Sequence, residues 1–171
     1  MLFFGHVGIT VDVVRSYGER TGRRIDLSTA AIVAVLPDLI DKPVALLYSK
    51  SLGNHTRLFA HSLIASLFFF ACVLAYGKWR AREAALHNAL ILWAVYLGHL
   101  FLDRLWLRDM HALLWPFLGA PPAEMVPIFR RWYEALTETF TVLGEVVGFV
   151  FLMGGWKCVR IRGGFSRLFQ Y

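Results

Sequence analysis

Long uncharged apolar runs, separated by short polar and basic segments, dominate the pattern of residues along this chain. The clearest runs cover residues 58–77, 84–102 and 139–156, with lengths of 20, 19 and 18 residues, and Glu145 is the one formal charge inside them. A helix of about 20 apolar residues spans the hydrocarbon core of a bilayer. The pattern therefore predicts three membrane-spanning helices.

The N-terminal third is less regular. Residues 1–11 are uncharged and residues 15–26 are polar and basic, so a first span is expected within residues 1–14. Residues 27–49 are apolar but interrupted by Pro37, Asp38, Asp41, Lys42 and Pro43. Irregular backbone at membrane depth must pack in protein or line a wet cavity. We therefore expect a broken or re-entrant helix here, with a site at residues 36–43.

Composition supports one membrane-embedded domain covering residues 1–171. The chain is 57% hydrophobic and 18% charged, whereas soluble domains carry about 25% charged residues. An aromatic content of 15% excludes disorder, and two cysteines exclude a disulfide framework. The expected fold class is all-α: a polytopic helical bundle of four to five transmembrane segments.

Basic residues cluster at residues 15–24, 78–82 and 157–167, which together hold 11 of the 18 Lys and Arg residues. The positive-inside rule places these clusters, and the tail of residues 157–171, in the cytoplasm. Residues 50–57 and 103–138 then lie outside an inner membrane. Topology and attraction to the lipid bilayer account for the basic surplus. No nucleic-acid motif accompanies this surplus, so we expect no nucleic-acid partner.

The segment 108–138 contains four prolines followed by apolar residues at helical spacing. Trp115, Trp132 and Tyr133 suit an interfacial helix anchored at headgroup level. A lid packed on the spans explains the same pattern equally well. The ligand motifs lie in residues 1–117, before the last span at residues 139–156.

Ionisable side chains are costly inside a bilayer, and here they cluster. His99 and Asp103 are four residues apart and share a helix face; Asp38 and Asp41 are three apart and share one if that turn is helical. The predicted topology brings these side chains and His61 to similar depth near the outer face. His6 enters from the same side.

Imidazoles and carboxylates that converge in a low-dielectric site favour a divalent metal ion, with zinc preferred over manganese or iron. The expected metal ligands are His6, Asp38, His61, His99 and Asp103, holding one ion or two. Asp41 and Asp38 are the candidate catalytic carboxylates. A buried polar network joining the spans is the alternative explanation. His6 alone could be a packing residue, and Lys42 or Arg57 could neutralise Asp41.

Other polar residues near these spans allow simpler roles. Arg57 and Arg104 flank the cluster and could bind a substrate phosphate, or could anchor the chain by snorkelling to the interface. Glu145 is expected to make a structural contact with His87 or another span. Ser62 lacks a glycine-flanked nucleophile elbow, so we expect it to start a helix or support the site.

Four strings, in order after His6, resemble the motifs of YdjM-like membrane-bound metal-dependent hydrolases: LPDLIDKP (36–43), TRLFAHSL (56–63), GHLFLD (98–103) and WPF (115–117). The resemblance implies metal binding by the five ligands named above, and Asp41 fits a variant acidic motif ending in Asp-Lys-Pro. Many members have a histidine where this chain has Thr56. His55, displaced by one residue, is either a substitute ligand or, as we favour, an exposed loop histidine.

These observations favour a metal-dependent hydrolase that uses metal-activated water on an ester or phosphoester. A lipid or lipid-linked substrate is expected because the site would open at headgroup depth. The alternatives are a metal-ion or proton transporter and a structural membrane protein, each using the same polar cluster.

Overall fold

The computed structural model describes residues 3–23, 25–48, 55–80, 83–119 and 127–162, with side chains for all of these except residues 128, 131, 132 and 155–162. Trp132, Arg24, Arg82 and the basic residues from Lys157 onward lie outside the described side chains. Throughout the described residues the secondary structure is helical, without strands, which confirms the all-α prediction.

The chain forms eight α-helices and one short 3₁₀ helix within the described residues. Their order is α1 (Phe3–Thr21), α2 (Leu27–Leu47), the 3₁₀ helix (Phe59–His61), α3 (Leu63–Trp79), α4 (Ala85–Leu102), α5 (Leu105–Arg108), α6 (Met110–Leu113), α7 (Ile128–Thr137) and α8 (Thr139–Arg162).

One described helical stretch, Ala85–Arg108, is long and apolar enough to cross a bilayer, with 24 residues and a mean hydropathy of 1.5. It contains the predicted span at residues 84–102. Leu63–Trp79 and Thr139–Gly154 are apolar but shorter. α3 begins five residues later than predicted because the chain first forms the 3₁₀ turn and then a helix cap. Ser62 is that cap, since its Oγ accepts a hydrogen bond from the Ala65 amide at 3.1 Å.

α3 has the surface of a lipid-facing helix. Its buried residues are Ser66 and Gly77, whereas Phe68 is 71% exposed and Trp79 is 78% exposed. A water-soluble helix buries its apolar side chains, so this inverted arrangement favours a hydrocarbon environment.

α2 runs without a break from Leu27 to Leu47, so the expectation of a broken or re-entrant helix is wrong. Pro37 and Pro43 lie inside it. Each proline removes its own N–H donor, and helices in membranes tolerate such losses where neighbouring elements re-satisfy the backbone. Asp38 and Asp41 consequently lie one turn apart on a continuous helix.

α1 also extends beyond its predicted end. It continues through the polar residues to Thr21 and stops at Gly22, whose φ is +67°. The Arg23 amide then bonds back to the Gly18 carbonyl at 3.1 Å, which is the pattern of a glycine-terminated helix.

α1 and α8 cross at backbone contact. A Cβ added to Gly8 would lie 1.9 Å from the Gly148 carbonyl oxygen, so the crossing requires glycine. One turn away, the Glu145 carboxylate accepts hydrogen bonds from the backbone amides of Phe4 (2.8 Å) and Gly5 (2.9 Å). Glu145 therefore makes the structural contact expected of it, with α1 as its partner rather than His87.

The buried apolar core is built from α1, α2, α4, α5 and α6. Its members are Val14, Ala30, Val33, Ala34, Val95, Tyr96, Leu100, Leu105 and Ala112. This core supports the buried polar side chains, because the Ala34 carbonyl is bonded to His99 and the Tyr96 hydroxyl is bonded to the Ala60 carbonyl, next to His61.

Candidate metal centre

Four side chains from three elements converge on one point. They are Asp38 of α2, His61 of the 3₁₀ helix, His99 of the last turn of α4, and Asp103, the residue that caps α4. One ligand atom from each lies within 4.8 Å of the others. Both imidazoles are fully buried and Asp103 is 7% exposed.

Asp41 orients His61. Its Oδ2 lies 2.7 Å from His61 Nδ1 and also accepts a hydrogen bond from the Leu58 amide at 2.7 Å, while its Oδ1 accepts from the Ala60 amide at 3.2 Å. A carboxylate accepts these bonds, so in neutral His61 the proton resides on Nδ1 and Nε2 presents a lone pair.

A backbone carbonyl orients His99 in the same way. His99 Nδ1 lies 2.7 Å from the Ala34 carbonyl oxygen, which can only accept a hydrogen bond. The proton of His99 is therefore also on Nδ1, and its Nε2 presents a lone pair as well.

The two Nε2 atoms face each other at 3.2 Å. Two lone pairs at this distance repel unless a proton or a metal ion lies between them. A tetrahedral ion with bonds to nitrogen of about 2.0–2.1 Å holds its ligand atoms about 3.3 Å apart. The spacing of the imidazoles thus fits a shared metal ion.

The two carboxylates complete the group. Asp38 Oδ1 lies 3.6 Å and Asp103 Oδ2 lies 3.8 Å from His61 Nε2. Each carboxylate also has a basic partner: Lys42 Nζ is 2.6 Å from Asp38 Oδ2, and Arg57 Nε is 3.1 Å from Asp103 Oδ2. Two aspartates and two imidazoles form a donor set that suits zinc, manganese or iron.

Two of the predicted site residues lie beside this group rather than in it. His6 Nε2 is 3.0 Å from Asp103 Oδ1, and the His6 ring stacks on His99 with centroids 4.1 Å apart. Asp41 lies behind His61, on the opposite side of the ring from the second imidazole, which is the place of a positioning residue. Contrary to our expectation of an exposed loop residue, His55 is buried, at 5% exposure.

Sequence reasoning missed several contributors. Tyr96 is buried and donates its hydroxyl hydrogen to the Ala60 carbonyl, beside the 3₁₀ turn. Tyr96 lies three residues before His99, so helical periodicity predicts that both side chains share one face of α4. Lys42 follows Asp38 by four residues, which equally predicts their ion pair on a helix. The contribution of the Ala34 carbonyl has no signal in the sequence.

A cavity of about 600 Å³ opens beside the group. Asp38 and Asp103 line it, and so do both predicted substrate-binding residues, Arg57 and Arg104. The last turn of α7 forms part of the wall, as expected of a lid, whereas Tyr133 of the same helix is 68% exposed, as expected of an interfacial anchor.

Ion pairs tie the cavity wall together. Arg108 binds Glu138 through both terminal nitrogens, and Arg104 Nη1 lies 3.5 Å from Glu138 Oε1. The hydrogen bonds from Arg108 lower the pKa of Glu138 below its ordinary value, outweighing the opposite effect of burial. Burial by itself would lower the pKa of Arg57, but attraction to Asp103 raises it.

The helical fold, the lipid-facing apolar surface and the buried His and Asp cluster together define a membrane protein with a candidate metal centre. A sequence profile of the family described as YdjM inner membrane protein matches residues 1–163. The chain therefore belongs to the YdjM inner membrane protein family, as the ordered motifs predicted. No curated protein and no solved structure matches it.

Proposed function

We propose that this protein is a membrane-bound metal-dependent hydrolase that cleaves an ester or phosphoester. The observation that carries the proposal is the convergence of two imidazole Nε2 atoms, 3.2 Å apart, with two carboxylates beside them and a cavity in front. Both Nδ1 atoms face outward, to Asp41 and to the Ala34 carbonyl, so in the neutral rings both Nε2 lone pairs face this point. A polar network that only joined the helices would place a proton between the two Nε2 atoms, and metal analysis distinguishes the two arrangements.

In this proposal His61, His99 and Asp103 are ligands of one divalent ion, with zinc preferred over manganese or iron. When bound, the ion would supply a water of lowered pKa and polarise the substrate oxygen. Asp38 lines the cavity and serves as a further ligand or as the base that accepts a proton from that water. A second ion would need His6 as a ligand.

The surrounding residues hold these groups in place. Asp41 fixes the tautomer of His61, and His6 holds the second oxygen of Asp103. Outer partners of this kind commonly determine metal affinity. In the net reaction a hydroxyl from water joins the acyl carbon or the phosphorus, the ester bond breaks, and the departing alcohol takes the remaining proton.

We further propose that the helices form a bundle of four to five spans in the inner membrane, with the C-terminus in the cytoplasm and the site near the outer face. This arrangement rests on the basic clusters and the apolar runs. It makes a lipid or lipid-linked substrate the natural choice, because the cavity would then open at headgroup depth.

The test is metal content and hydrolysis by the full chain purified in detergent. We expect stoichiometric metal, and loss of both metal and hydrolysis in His99→Ala and Asp103→Ala. His87→Ala, on the same helix, and Asp12→Ala, on α1, are the matched controls and should retain both. Metal-free protein, with both site variants as stable as the wild type, would contradict the proposal.

A further inference from the structure

The cavity beside the metal centre has equal numbers of basic and acidic lining side chains. The basic ones are Lys42, Arg57, Arg104 and Arg108, and the acidic ones are Asp38, Asp103, Glu134 and Glu138. A divalent ion at the cluster would therefore leave two uncompensated positive charges. A cavity with this balance is complementary to a dianion, and a phosphate monoester carries about −1.5 to −2 at neutral pH.

Arg104 occupies a backbone conformation that indicates a functional role. Its φ is +57°, in the left-handed region that disfavours residues with a Cβ, and it directly follows the proposed ligand Asp103. This turn places a metal-facing carboxylate and a guanidinium on the wall of one cavity. A glycine would form the turn with less strain, so the side chain is retained against a conformational cost.

The guanidinium of Arg104 is held in place yet can still bind a ligand. Its carbon lies 4.5 Å from the centre of the Phe140 ring, and its nitrogen is 3.5 Å from Glu138, beyond an ordinary hydrogen bond. Most of its N–H donors are thus not committed in the contacts described. Guanidinium groups bind phosphate oxygens in a two-pronged geometry that a carboxylic ester cannot offer.

The cavity also has apolar lining. Leu102, Leu136 and Phe140 line it among the charged side chains. A cavity that offers both guanidinium groups and apolar side chains fits a phosphate group attached to a hydrocarbon chain.

We propose that the substrate is a phosphate monoester with an apolar tail, whose phosphate oxygens are bound by Arg104 and Arg57. This inference rests on the proposed function and specifies its substrate class. Water oxygen bonds to phosphorus, the bond from phosphorus to the ester oxygen breaks, and the alcohol leaves with a proton, so inorganic phosphate is released.

The first experiment measures binding of inorganic phosphate and of acetate to the zinc-loaded full chain in detergent micelles, by calorimetry. Phosphate should bind more tightly than acetate. Arg104→Gly should weaken phosphate binding about tenfold or more, the effect expected for a lost charged hydrogen bond. Arg104→Lys should retain part of the affinity. Arg15→Gln, which removes an ion-paired arginine from α1, should change nothing.

Arg104→Gly separates binding from folding. Glycine relieves the left-handed strain, which offsets the lost contacts of Arg104 with Phe140 and Glu138, so the variant should melt near the wild-type temperature while losing phosphate affinity. Equal affinities for phosphate and acetate, or wild-type phosphate binding by Arg104→Gly, would overturn the inference.

The second experiment compares phosphate release from glycerol 3-phosphate and from phosphatidic acid in mixed micelles. The lipid should be the better substrate, and Leu136→Ala should slow its cleavage without affecting the soluble ester. Leu143→Ala, a truncation of a similarly exposed leucine on α8, is the control for Leu136→Ala. If both substrates are cleaved at equal rates and Leu136→Ala changes neither rate, the inference that the substrate has an apolar tail is overturned.

The two proposals fail differently. Hydrolysis of carboxylic esters without phosphate binding would contradict the substrate class and leave the hydrolase intact. If phosphate binding depends on Arg104 in a protein that takes up no metal, the proposed metal-dependent hydrolysis is contradicted, while phosphate binding by Arg104 is supported.

Discussion

His61 and His99 point their Nε2 atoms at each other across 3.2 Å, although 38 residues separate them in the chain. Each ring is turned into this position by a partner on α2, namely the carboxylate of Asp41 and the carbonyl of Ala34. α2 therefore sets the geometry of the candidate metal centre while contributing one of its four residues, Asp38.

Asp41→Asn should weaken metal binding by about 10-fold to 100-fold, the usual effect of losing a carboxylate behind a ligating histidine. An amide has one acceptor oxygen, whereas Asp41 accepts three bonds through two oxygens, so either orientation of asparagine opposes an NH₂ group to a donor. Competition with a chromophoric chelator measures the affinity. Asp26→Asn is the control because Asp26 caps the same helix and asparagine caps equally well. Unchanged affinity in Asp41→Asn would exclude a positioning role.

Chelation should lower the melting temperature of the wild-type protein. A ligand present at 100 times its dissociation constant stabilises a fold by about 2.7 kcal/mol, and this stabilisation disappears when the metal is removed. His99→Ala, which lacks a ligand, should melt at the same temperature with and without chelator. Thermal unfolding in detergent tests both proteins, and a chelator effect of equal size in the variant would assign the metal to another site.

Gly8→Ala should destabilise the fold by about 1–3 kcal/mol, the range for overpacking. The new methyl would meet the Gly148 carbonyl oxygen at 1.9 Å, and both partners are backbone of crossing helices, so α1 and α8 must separate. Gly98→Ala is the matched control, since a Cβ added there would meet no atom within 4 Å beyond its own chain neighbours and the adjacent backbone of its helix. Chemical unfolding of both variants gives the comparison, and similar losses would refute the close crossing.

Acid should abolish the stabilisation that Glu138 contributes. Its pKa is lowered in the folded protein from 4.5 by Arg108, so its contribution is complete above 4.5 and is lost as the pH falls through the folded pKa. Glu138→Gln should be less stable than the wild type at pH 7, by at most about 1 kcal/mol for a partly exposed pair. The difference should shrink as the pH falls below 4.5. A difference of constant size at acid pH would assign the effect to packing.

Reporter fusions test the orientation. Fusions after Arg82 and after Arg167 should report the cytoplasm, and a fusion near Ala123 should report the outer side, because the basic clusters flank the first two positions. An outer signal at Arg82 would invert the topology and move the site to the cytoplasmic face.

The all-α fold class and the clustering of the histidines and aspartates were predictable from the sequence. The separate role of each of these side chains was not. Spacing of four residues placed His99 and Asp103 on one face, and burial cost marked the aspartates as partners. The same reasoning named both Asp38 and Asp41 as catalytic candidates, yet Asp38 faces the cluster and Asp41 lies behind His61, bonded to its Nδ1 and to two backbone amides. A spacing of three residues cannot distinguish these roles.

The prolines of α2 show a second feature that could not be predicted from local sequence. Pro37 and Pro43 indicated a break in the helix, because each removes a backbone hydrogen bond, but the packed surroundings keep α2 continuous. Local rules describe the cost of a residue and not the neighbours that offset it.

The sequence by itself determined the apolar helices, the scarcity of buried charge and the identity of the converging histidines and aspartates, since these depend on hydropathy and on positions along one helix. Only the tertiary structure decided which partner each imidazole nitrogen faces, that His6 binds Asp103, and that Arg104 and Glu138 meet at one cavity. Those features depend on distances between elements that are far apart in the chain, and hydropathy and helical periodicity do not encode such distances.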